Sequence, residues 1–300
     1  MSQPAGGLAT APTSAPSTVS LWAVAWMASA ILFFGAMAIA GRELSAELDT
    51  FEIMAYRSAI GLPFIVAAVW YHGDWRTLAT DQPREHVVRN VIHFAGQNFW
   101  FYGVAVLPLA QLVALEFTSP IWVILLAPLL LGERLTRPGI IAAALGFLGM
   151  LVVARPGFSP IEAGHGAALA AALGFALTNI MTKRLSRRDG TLCILFWMTL
   201  SQLLMGLLCA APGGITLVSW ALVPWTLFVG ICGLMAHLSL TRALTLAPAI
   251  IVAPMEFMRL PAIAVAGMLL YGEPLEVAVF VGGALILAGN IVNIRARSAA

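Results

Sequence analysis

The sequence is poor in charge and nearly devoid of lysine. Charged residues make up 10% of the 300-residue chain, whereas an ordinary soluble domain carries about 25%. Among its 16 basic residues, the only lysine is Lys183. Hydrophobic residues make up 60% of the chain, and its mean hydropathy is +0.92. Because water does not tolerate a surface so poor in charge, this composition indicates a protein embedded in lipid. The net charge of +2 and the lack of a long basic run argue against nucleic acid as a partner.

Motifs that would indicate an enzyme are absent as well. The sequence has no His-Glu-x-x-His run of a metalloprotease, no Gly-x-Ser-x-Gly elbow of a hydrolase and no Walker motif for ATP. Its three cysteines, Cys193, Cys209 and Cys232, stand in apolar segments without the spacing of a metal site. We therefore expect a protein that is not an enzyme and that binds neither a metal nor a cofactor.

Apolar runs long enough to cross a bilayer recur along the chain. A spanning helix needs roughly 20 mostly apolar residues, and the breaks between the runs fall at proline, glycine or charged clusters. Residues 1–19 are rich in Ala, Pro, Ser and Thr and lack the basic start of a signal peptide, which predicts a disordered tail. We predict ten transmembrane helices, at 20–41, 51–71, 88–107, 109–131, 138–154, 163–182, 191–211, 221–243, 247–271 and 277–294.

The distribution of basic residues predicts the orientation of these helices. With the N-terminus in the cytoplasm, cytoplasmic loops and tails would hold 12 basic residues, and external loops only Arg42 and Arg155. Basic residues are enriched on the cytoplasmic side of membrane proteins. The preference for arginine, with abundant Ala and Gly, is typical of a GC-rich bacterial genome. We therefore expect a multi-pass protein of the bacterial inner membrane with both termini in the cytoplasm.

The second half of the sequence repeats the first at an offset of 140 residues. Between 110–150 and 250–290, ten of 41 positions are identical. The matches include Glu116-Phe117 with Glu256-Phe257 and Gly132-Glu133 with Gly272-Glu273. Polar matches at unchanged spacing are more informative than matches between common apolar residues. The predicted organisation is a first five-helix repeat over 20–154, a linker over 155–162 and a second five-helix repeat over 163–295.

An odd number of helices in each repeat has a consequence for the fold. The second repeat would enter the membrane upside down relative to the first. Inverted repeats are typical of secondary transporters, whose substrate sites lie near the middle of the bilayer between the repeats. The predicted fold is an all-α integral membrane protein of ten helices in two inverted five-helix repeats.

The motifs of the two repeats resemble a known family. The acidic residue before Phe117, the Leu-Gly-Glu-Arg-Leu turn at 131–135 and the glycine-rich helix after it are similar to an EamA domain. Two such domains over about 20–295 resemble the drug/metabolite transporter superfamily, and within it the amino-acid exporters of the YddG type. The resemblance implies a basket of ten helices. Helices 1, 3, 4, 6, 8 and 9 would line a central cavity that opens alternately to each side.

One position departs from the family's pattern. Members often have proline directly after the acidic residue of the fourth helix, where this chain has Phe117 and, in the second repeat, Phe257. The local kink would then come from Pro120, Pro254 or Pro261.

Four ionisable residues fall inside the predicted helices, and they are Arg57, Glu116, Glu256 and Arg259. A charge in the bilayer core costs about 2.5–3.5 kcal/mol on insertion scales, so each needs a partner or a watery cavity. Glu256 and Arg259 are three residues apart, which predicts an ion pair, either at the cavity wall or as a purely structural contact. Arg57 either pairs with Glu116 or extends its long side chain to the outer interface. We favour the second interpretation.

Polar residues also recur on one face of the third helix. His93 and Gln97 are spaced by four, and His237 stands at the position of Gln97 in the second repeat. Hydrogen bonds between helices would explain a lone polar residue, but a stripe that recurs in both repeats favours a cavity wall. The candidate substrate-binding residues are Gln97, Asn98, Phe101, Tyr102, Glu116, Asn179, His237, Glu256 and Arg259.

These features together predict a secondary transporter that works by alternating access. The favoured substrates are amino acids, including aromatic ones, moved outward. The alternatives are nucleotide-derived metabolites, vitamins and drugs. A channel or an intramembrane enzyme would need filter rings or catalytic motifs that the sequence does not show. We expect a monomer or weak oligomer whose partners are its small-molecule substrate and the lipid bilayer.

Overall fold

The computed structural model describes residues 21–72, 75–131, 137–155, 161–185, 188–246 and 258–298, and the predicted tail at 1–19 lies outside them. The secondary structure of the described residues is entirely helical. The α-helices are α1 (Leu21–Leu44), α2 (Thr50–His72), α3 (Pro83–Val106), α4 (Leu109–Glu116), α5 (Ser119–Leu131), α6 (Arg137–Ala154), α7 (Ala163–Leu185), α8 (Thr191–Ala210), α9 (Val223–Leu246), α10 (Arg259–Tyr271) and α11 (Val277–Ser298). Short 3-10 helices follow α2 at Trp75–Leu78 and α8 at Ala211–Gly213.

Six of the described helices are long and apolar enough to cross a membrane, and they are α1, α2, α6, α7, α8 and α9. Helix α3 is equally long, with 24 residues, but it buries a row of polar side chains. The ninth predicted helix is described only from Arg259 onward. The total of ten transmembrane helices therefore stays a prediction.

The fourth predicted helix is broken into α4 and α5. Helix α4 ends at Glu116 and α5 begins at Ser119, with the Thr118 hydroxyl donating to the Leu115 carbonyl across the break at 2.7 Å. Pro120 is the second residue of α5, and Pro261 is the third residue of α10. Proline in the first turn of a helix costs no intrahelical hydrogen bond. Helices α5 and α10 therefore begin just before Pro120 and Pro261, at Ser119 and Arg259, which correspond in the two repeats.

The helices pair in a pattern that is unchanged when the two repeats are exchanged. The most extensive contacts join α1 with α9, α3 with α7, α2 with α8, and α6 with α11. When each helix is replaced by its counterpart in the other repeat, the α1–α9 pair becomes the α7–α3 pair. The α2–α8 and α6–α11 pairs each remain the same pair. Each repeat therefore packs mainly against the other repeat.

Glycine permits the closest of these contacts, between α6 and α11. A Cβ atom at Gly149 would lie 2.5 Å from the Gly282 carbonyl oxygen, and one at Gly282 would lie 2.5 Å from the Gly149 oxygen. At the corresponding positions, a Cβ atom at Gly289 would lie 2.7 Å from the Ala142 oxygen. Small residues let membrane helices approach until their backbones touch. The glycines of these two helices therefore serve packing, as their sequence pattern indicates.

A dense apolar core fills one end of the bundle. It packs the end of α1 and α3 against the start of α4, and its fully buried members include Leu44, Phe101, Leu107, Leu109 and Leu112. This packing closes one end of the space between the repeats and leaves the other end to polar side chains.

Candidate functional site

A cavity of about 470 Å³ lies between the two repeats. Along α3, its lining runs from Trp100 through Gln97 and His93 to Arg89, a length of roughly 16 Å at 1.5 Å per residue. Thr182, near the end of α7, and Thr191, at the start of α8, line the same end as Arg89. The cavity therefore extends from the middle of the bundle to one end. We call the end that holds Arg89, Thr182 and Thr191 the mouth.

An ion pair lies at the inner end of this cavity. Arg259, the first residue of α10, donates from Nη2 to Glu116 Oε1 at 2.7 Å. The Trp100 indole donates to the other carboxylate oxygen of Glu116 at 2.9 Å. The Arg259 guanidinium lies over the Phe34 and Phe117 rings, 5.2 and 5.1 Å from their centroids. The break between α4 and α5 and the start of α10 thus place one acid and one base, framed by aromatic rings, inside the cavity.

The predicted pair between Arg259 and Glu256 stays a prediction. Glu256 lies outside the described residues, and Arg259 is bonded to the acid of the other repeat. The Arg259 Nε atom is buried and has no hydrogen-bond partner among the described residues. Arg259 therefore keeps one donor that the described residues do not use.

Arg57 does not reach the outer interface, and that prediction is wrong. Its side chain is buried, and its Nη1 atom donates to Gln97 Oε1 and contacts the Met54 sulfur. A Cβ atom at Gly233 would lie 2.5 Å from Arg57 Nε, so that glycine makes room for the guanidinium. Arg57 thereby fixes the orientation of the Gln97 amide, because only the amide oxygen can accept from a guanidinium.

Four rings form a chain along the wall of the cavity. Phe34 packs edge-on against His237 at 5.4 Å, His237 lies 6.1 Å from His93, and His93 lies 6.0 Å from Phe175. All four residues line the cavity. Both ring nitrogens of the buried His93 lack a hydrogen-bond partner among the described residues, as does the hydroxyl of Thr178 beside it in the lining. Buried polar atoms are rarely left unpaired, which indicates a surface built for a polar ligand.

The structure separates the predicted substrate-binding residues into two groups. Gln97, Glu116, Asn179, His237 and Arg259 line the cavity, with Gln97 and His237 contributed by opposite repeats. The other described candidates, Asn98, Phe101 and Tyr102, do not line it.

Helix rotation explains the three residues that lie elsewhere. Asn98 is turned about 100° from Gln97, and its amide donates to the Phe94 carbonyl at 2.8 Å. Phe101 is fully buried, where a Cβ atom at Gly41 would approach its ring to 2.6 Å. Tyr102 faces away from the bundle with 42% of its surface exposed. Phe101 thus contributes to the core, and Tyr102 to the outer surface.

Arg89 lines the cavity but is not among the predicted substrate-binding residues. Its Nε donates to Thr182 Oγ1 at 3.1 Å, and its Nη1 donates to Asn90 Oδ1 at 3.0 Å. The Asn90 amide nitrogen is held in turn by the Trp197 carbonyl at 3.0 Å and Ser201 Oγ at 3.1 Å. This network across α3, α7 and α8 holds the guanidinium in a fixed position.

The rim of the mouth carries a second polar cluster. His86 Nε2 and Thr80 Oγ1 each bond Asp189 Oδ2 at 2.8 Å. The ligand atoms of His86, Asp189 and Cys193 lie within 4.8 Å of one another, close enough to share a metal ion. The hydrogen bonds that are present fasten the connection between α2 and α3 to the start of α8.

The end opposite the mouth is fastened by a partly buried ion pair, which we call the clasp. Arg42, at the end of α1, pairs with Glu273 and donates to the carbonyls of Val104 and Leu107. The other carboxylate oxygen of Glu273 accepts from the Leu109 backbone N–H at 2.9 Å, at the start of α4. Sequence reasoning treated Arg42 only as an external charge. Arg42 recurs as the basic Lys183 at an offset of 141 residues, and Glu273 recurs as Glu133 at an offset of 140. These two recurrences were the signal that could have identified the clasp.

A family model supplies the identification. The model of the EamA-like transporter family matches residues 21–155 and again residues 162–295. The chain belongs to the EamA-like transporter family. It is therefore a multi-pass membrane transporter built from two EamA repeats.

Several similar proteins of known function are named as transporters of different metabolites. The S-adenosylmethionine uptake transporter of Rickettsia conorii is 25% identical over 272 residues, covering 89% of this chain and 90% of the relative. The riboflavin transporter of Rhizobium johnstonii is 28% identical and covers 90% of each chain. The pseudopaline exporter CntI of Pseudomonas aeruginosa is 29% identical and covers 88% of this chain and 93% of the relative. The predicted likeness to amino-acid exporters in particular is not reflected in these names.

A solved structure resembles this EamA-like chain over most of its length. The match has a TM-score of 0.64 at 20% sequence identity, and it covers 90% of this chain and 96% of the other. At this identity the match establishes the fold alone.

Proposed function

We propose that this chain is a secondary transporter that moves a small amphipathic metabolite across the bacterial inner membrane by alternating access. The observation that carries the proposal is the cavity between the repeats. It contains an ion pair, a chain of four rings and unpaired polar atoms, and it is closed at one end by the clasp.

The cavity has the size and composition of a small-molecule site. Its volume of about 470 Å³ falls within the roughly 300–1,000 Å³ of typical ligand pockets. The rings of Phe34, Phe175 and Trp100 suit a flat heterocycle, which would stack or pack edge-on. Arg259 can bind a carboxylate through two parallel hydrogen bonds. We therefore propose a substrate that combines an aromatic ring with an acidic or strongly polar group.

Alternating access is supported by the symmetry of the packing and the asymmetry of the cavity. The helix pairs are unchanged when the repeats are exchanged, yet the cavity reaches only the mouth. We propose ten helices in two inverted repeats, so that exchanging the two repeats' conformations would close the mouth and open the clasp. Because both repeats line the cavity, a single chain completes the site, and we propose that it works as a monomer or weak oligomer.

The relatives favour a metabolite larger than an amino acid. S-adenosylmethionine and riboflavin each join a flat heterocycle to a polar chain, and two relatives are named as their transporters. Export of amino acids would use the Arg259 end of the cavity and leave the mouth unfilled. We therefore rank ring-bearing metabolites above amino acids.

The proposed orientation has both termini in the cytoplasm and the mouth facing the cytoplasm. The connections next to the mouth carry Arg76 and Arg188, and the adjoining ends of α3 and α7 carry Arg84 and Arg184. This distribution agrees with the enrichment of basic residues on the cytoplasmic side. C-terminal fusions test the orientation. A fused fluorescent protein should be bright and a fused alkaline phosphatase inactive, and the reverse result would contradict it.

Transport by purified protein tests the proposed function. Proteoliposomes would be incubated with labelled riboflavin, S-adenosylmethionine, nucleotides and aromatic amino acids, with and without a pH gradient. We expect saturable uptake of at least one ring-bearing compound. Replacing His93 by Leu should abolish that uptake while the protein remains monodisperse. Failure of the folded protein to move any compound above protein-free liposomes would contradict the proposal.

A further inference from the structure

The ionisable groups of the cavity and its surroundings do not balance in charge. At the inner end of the cavity, Arg259 and Glu116 form an ion pair, and their formal charges cancel. Arg89 adds one more positive charge to the cavity lining. A buried charge in a membrane protein needs a partner or water. The occupied cavity is therefore expected to include one further negative charge.

Among the described residues, Arg89 bonds only neutral groups. Its partners are the Thr182 hydroxyl and the Asn90 amide oxygen. The carboxylates at the mouth have cationic or hydroxyl partners of their own. Glu85 pairs with Arg184 at 3.3 Å, and Asp189 accepts from Thr80 and bonds His86. An acid of the protein does not compensate Arg89 in the part of the chain that the structure describes.

Burial also leaves the Arg89 side chain little contact with water. Only 6% of the Arg89 surface is exposed, whereas an arginine at a membrane surface extends its guanidinium into water. The hydrogen bonds to Thr182 and Asn90 also use donors on two of its three nitrogens, which orients the planar group. An oriented, desolvated guanidinium is the arrangement that binds phosphate and carboxylate groups strongly.

We propose that Arg89 is a binding subsite for a terminal phosphate or carboxylate of the substrate, and that this transporter selects organic anions. The inference rests on the proposed function and specifies its substrate class. Trp100, beside the ion pair, lies roughly 16 Å from Arg89 along α3. A substrate that reaches from one to the other has a ring at the inner end, a polar chain along Gln97 and His93, and the anionic group at the mouth. The overall shape is that of a ring-bearing metabolite with a phosphorylated or carboxylated chain.

Matched pairs of compounds test this subsite. Riboflavin and riboflavin 5′-phosphate differ by one phosphate, and indole-3-ethanol and indole-3-acetate differ by one carboxylate. Uptake of each compound into proteoliposomes would be measured for the wild type, Arg89→Gln and Arg89→Lys. We expect the wild type to prefer the anionic member of at least one pair by about tenfold, the factor that corresponds to 1.4 kcal/mol.

The variants identify the source of the preference. Arg89→Gln should bring the ratio close to one, because it removes the charge. Arg89→Lys should keep part of the ratio, because it keeps the charge but loses the planar fork. Arg84→Gln is the matched control, since Arg84 is an exposed arginine of the same helix, and it should leave the ratio unchanged.

The outcomes separate the two proposals. A ratio near one in the wild type for both pairs overturns the anionic subsite, whatever the variants do. An anionic preference that persists in Arg89→Gln overturns the assignment to Arg89. If neither these compounds nor any other member of the transport panel is moved, the proposed function itself fails. Transport of only the neutral members leaves that function standing and overturns the subsite.

Discussion

Breaking the clasp should open the end of the protein that the structure shows closed. The side chains of Arg42 and Glu273 are only 16% and 12% exposed, so solvent screens their attraction little. Arg42 bridges α1 to the end of α3, and Glu273 bridges the segment after α10 to the start of α4. All these bonds would have to separate if this end opened. The clasp therefore stabilises the state with an open mouth over its opposite.

The size of the effect follows from the bonds that are lost. A hydrogen bond to a charged group contributes about 1.5–3 kcal/mol. Arg42→Ala should shift the equilibrium between the two states by about 2 kcal/mol, which corresponds to about 30-fold in their populations. The control is Glu276→Gln, which breaks the pair between Arg155 and Glu276 at the same end. That pair is 34% and 36% exposed, and surface pairs contribute about 0–1 kcal/mol.

A buried cysteine reports which state is populated. Val104 is fully buried in the core that closes this end. With the three native cysteines replaced by alanine, Val104→Cys should react slowly with a membrane-impermeant maleimide in detergent. The reaction should be many-fold faster in the Arg42→Ala background and unchanged in the Glu276→Gln background. Equal protection of the cysteine in the Arg42→Ala and control backgrounds would refute the reasoning, provided that both proteins are monodisperse.

Two further predictions concern packing and charge. Gly149→Ala should lower the midpoint of thermal unfolding in detergent, because the added Cβ atom would lie 2.5 Å from the Gly282 oxygen. The control Gly166→Ala should leave the midpoint unchanged, because the space around Gly166 is open. Equal midpoints for the two variants would contradict the close α6–α11 contact. The double variant Glu116→Gln/Arg259→Gln should fold, because both charges of the pair are removed together. It should lose transport of carboxylate-bearing substrates and still transport neutral ones. Near-normal transport of carboxylate-bearing substrates would show that the pair is only structural.

The repeat in the sequence agrees with part of the arrangement at the site. Helices α5 and α10 begin at Ser119 and Arg259, which correspond at the 140-residue offset, and Gln97 and His237 line the cavity from opposite repeats. These features follow from residue identity and spacing along one helix. Spacing alone decides which residues share a helical face.

The pairing of charges could not be predicted in the same way. Arg259 bonds Glu116 of the other repeat, because α10 packs against α4 between the repeats. Arg57 is buried because Gly233 leaves room for it against α9. Arg89 stands seven residues into a helix that begins at Pro83, yet neighbours on α7 and α8 cover it. Such contacts depend on the rotation and depth of neighbouring helices, which a single sequence does not specify.

Counterflow is the measurement that tests alternating access most directly. Proteoliposomes would be loaded with an unlabelled compound that the protein moves, diluted into a trace of the same labelled compound, and sampled over time. The account predicts saturable uptake with a transient accumulation of label above the external concentration, because each inward step follows an outward one. Label that only equilibrates at the same rate in loaded and empty liposomes, without saturation, would indicate a channel and contradict the account.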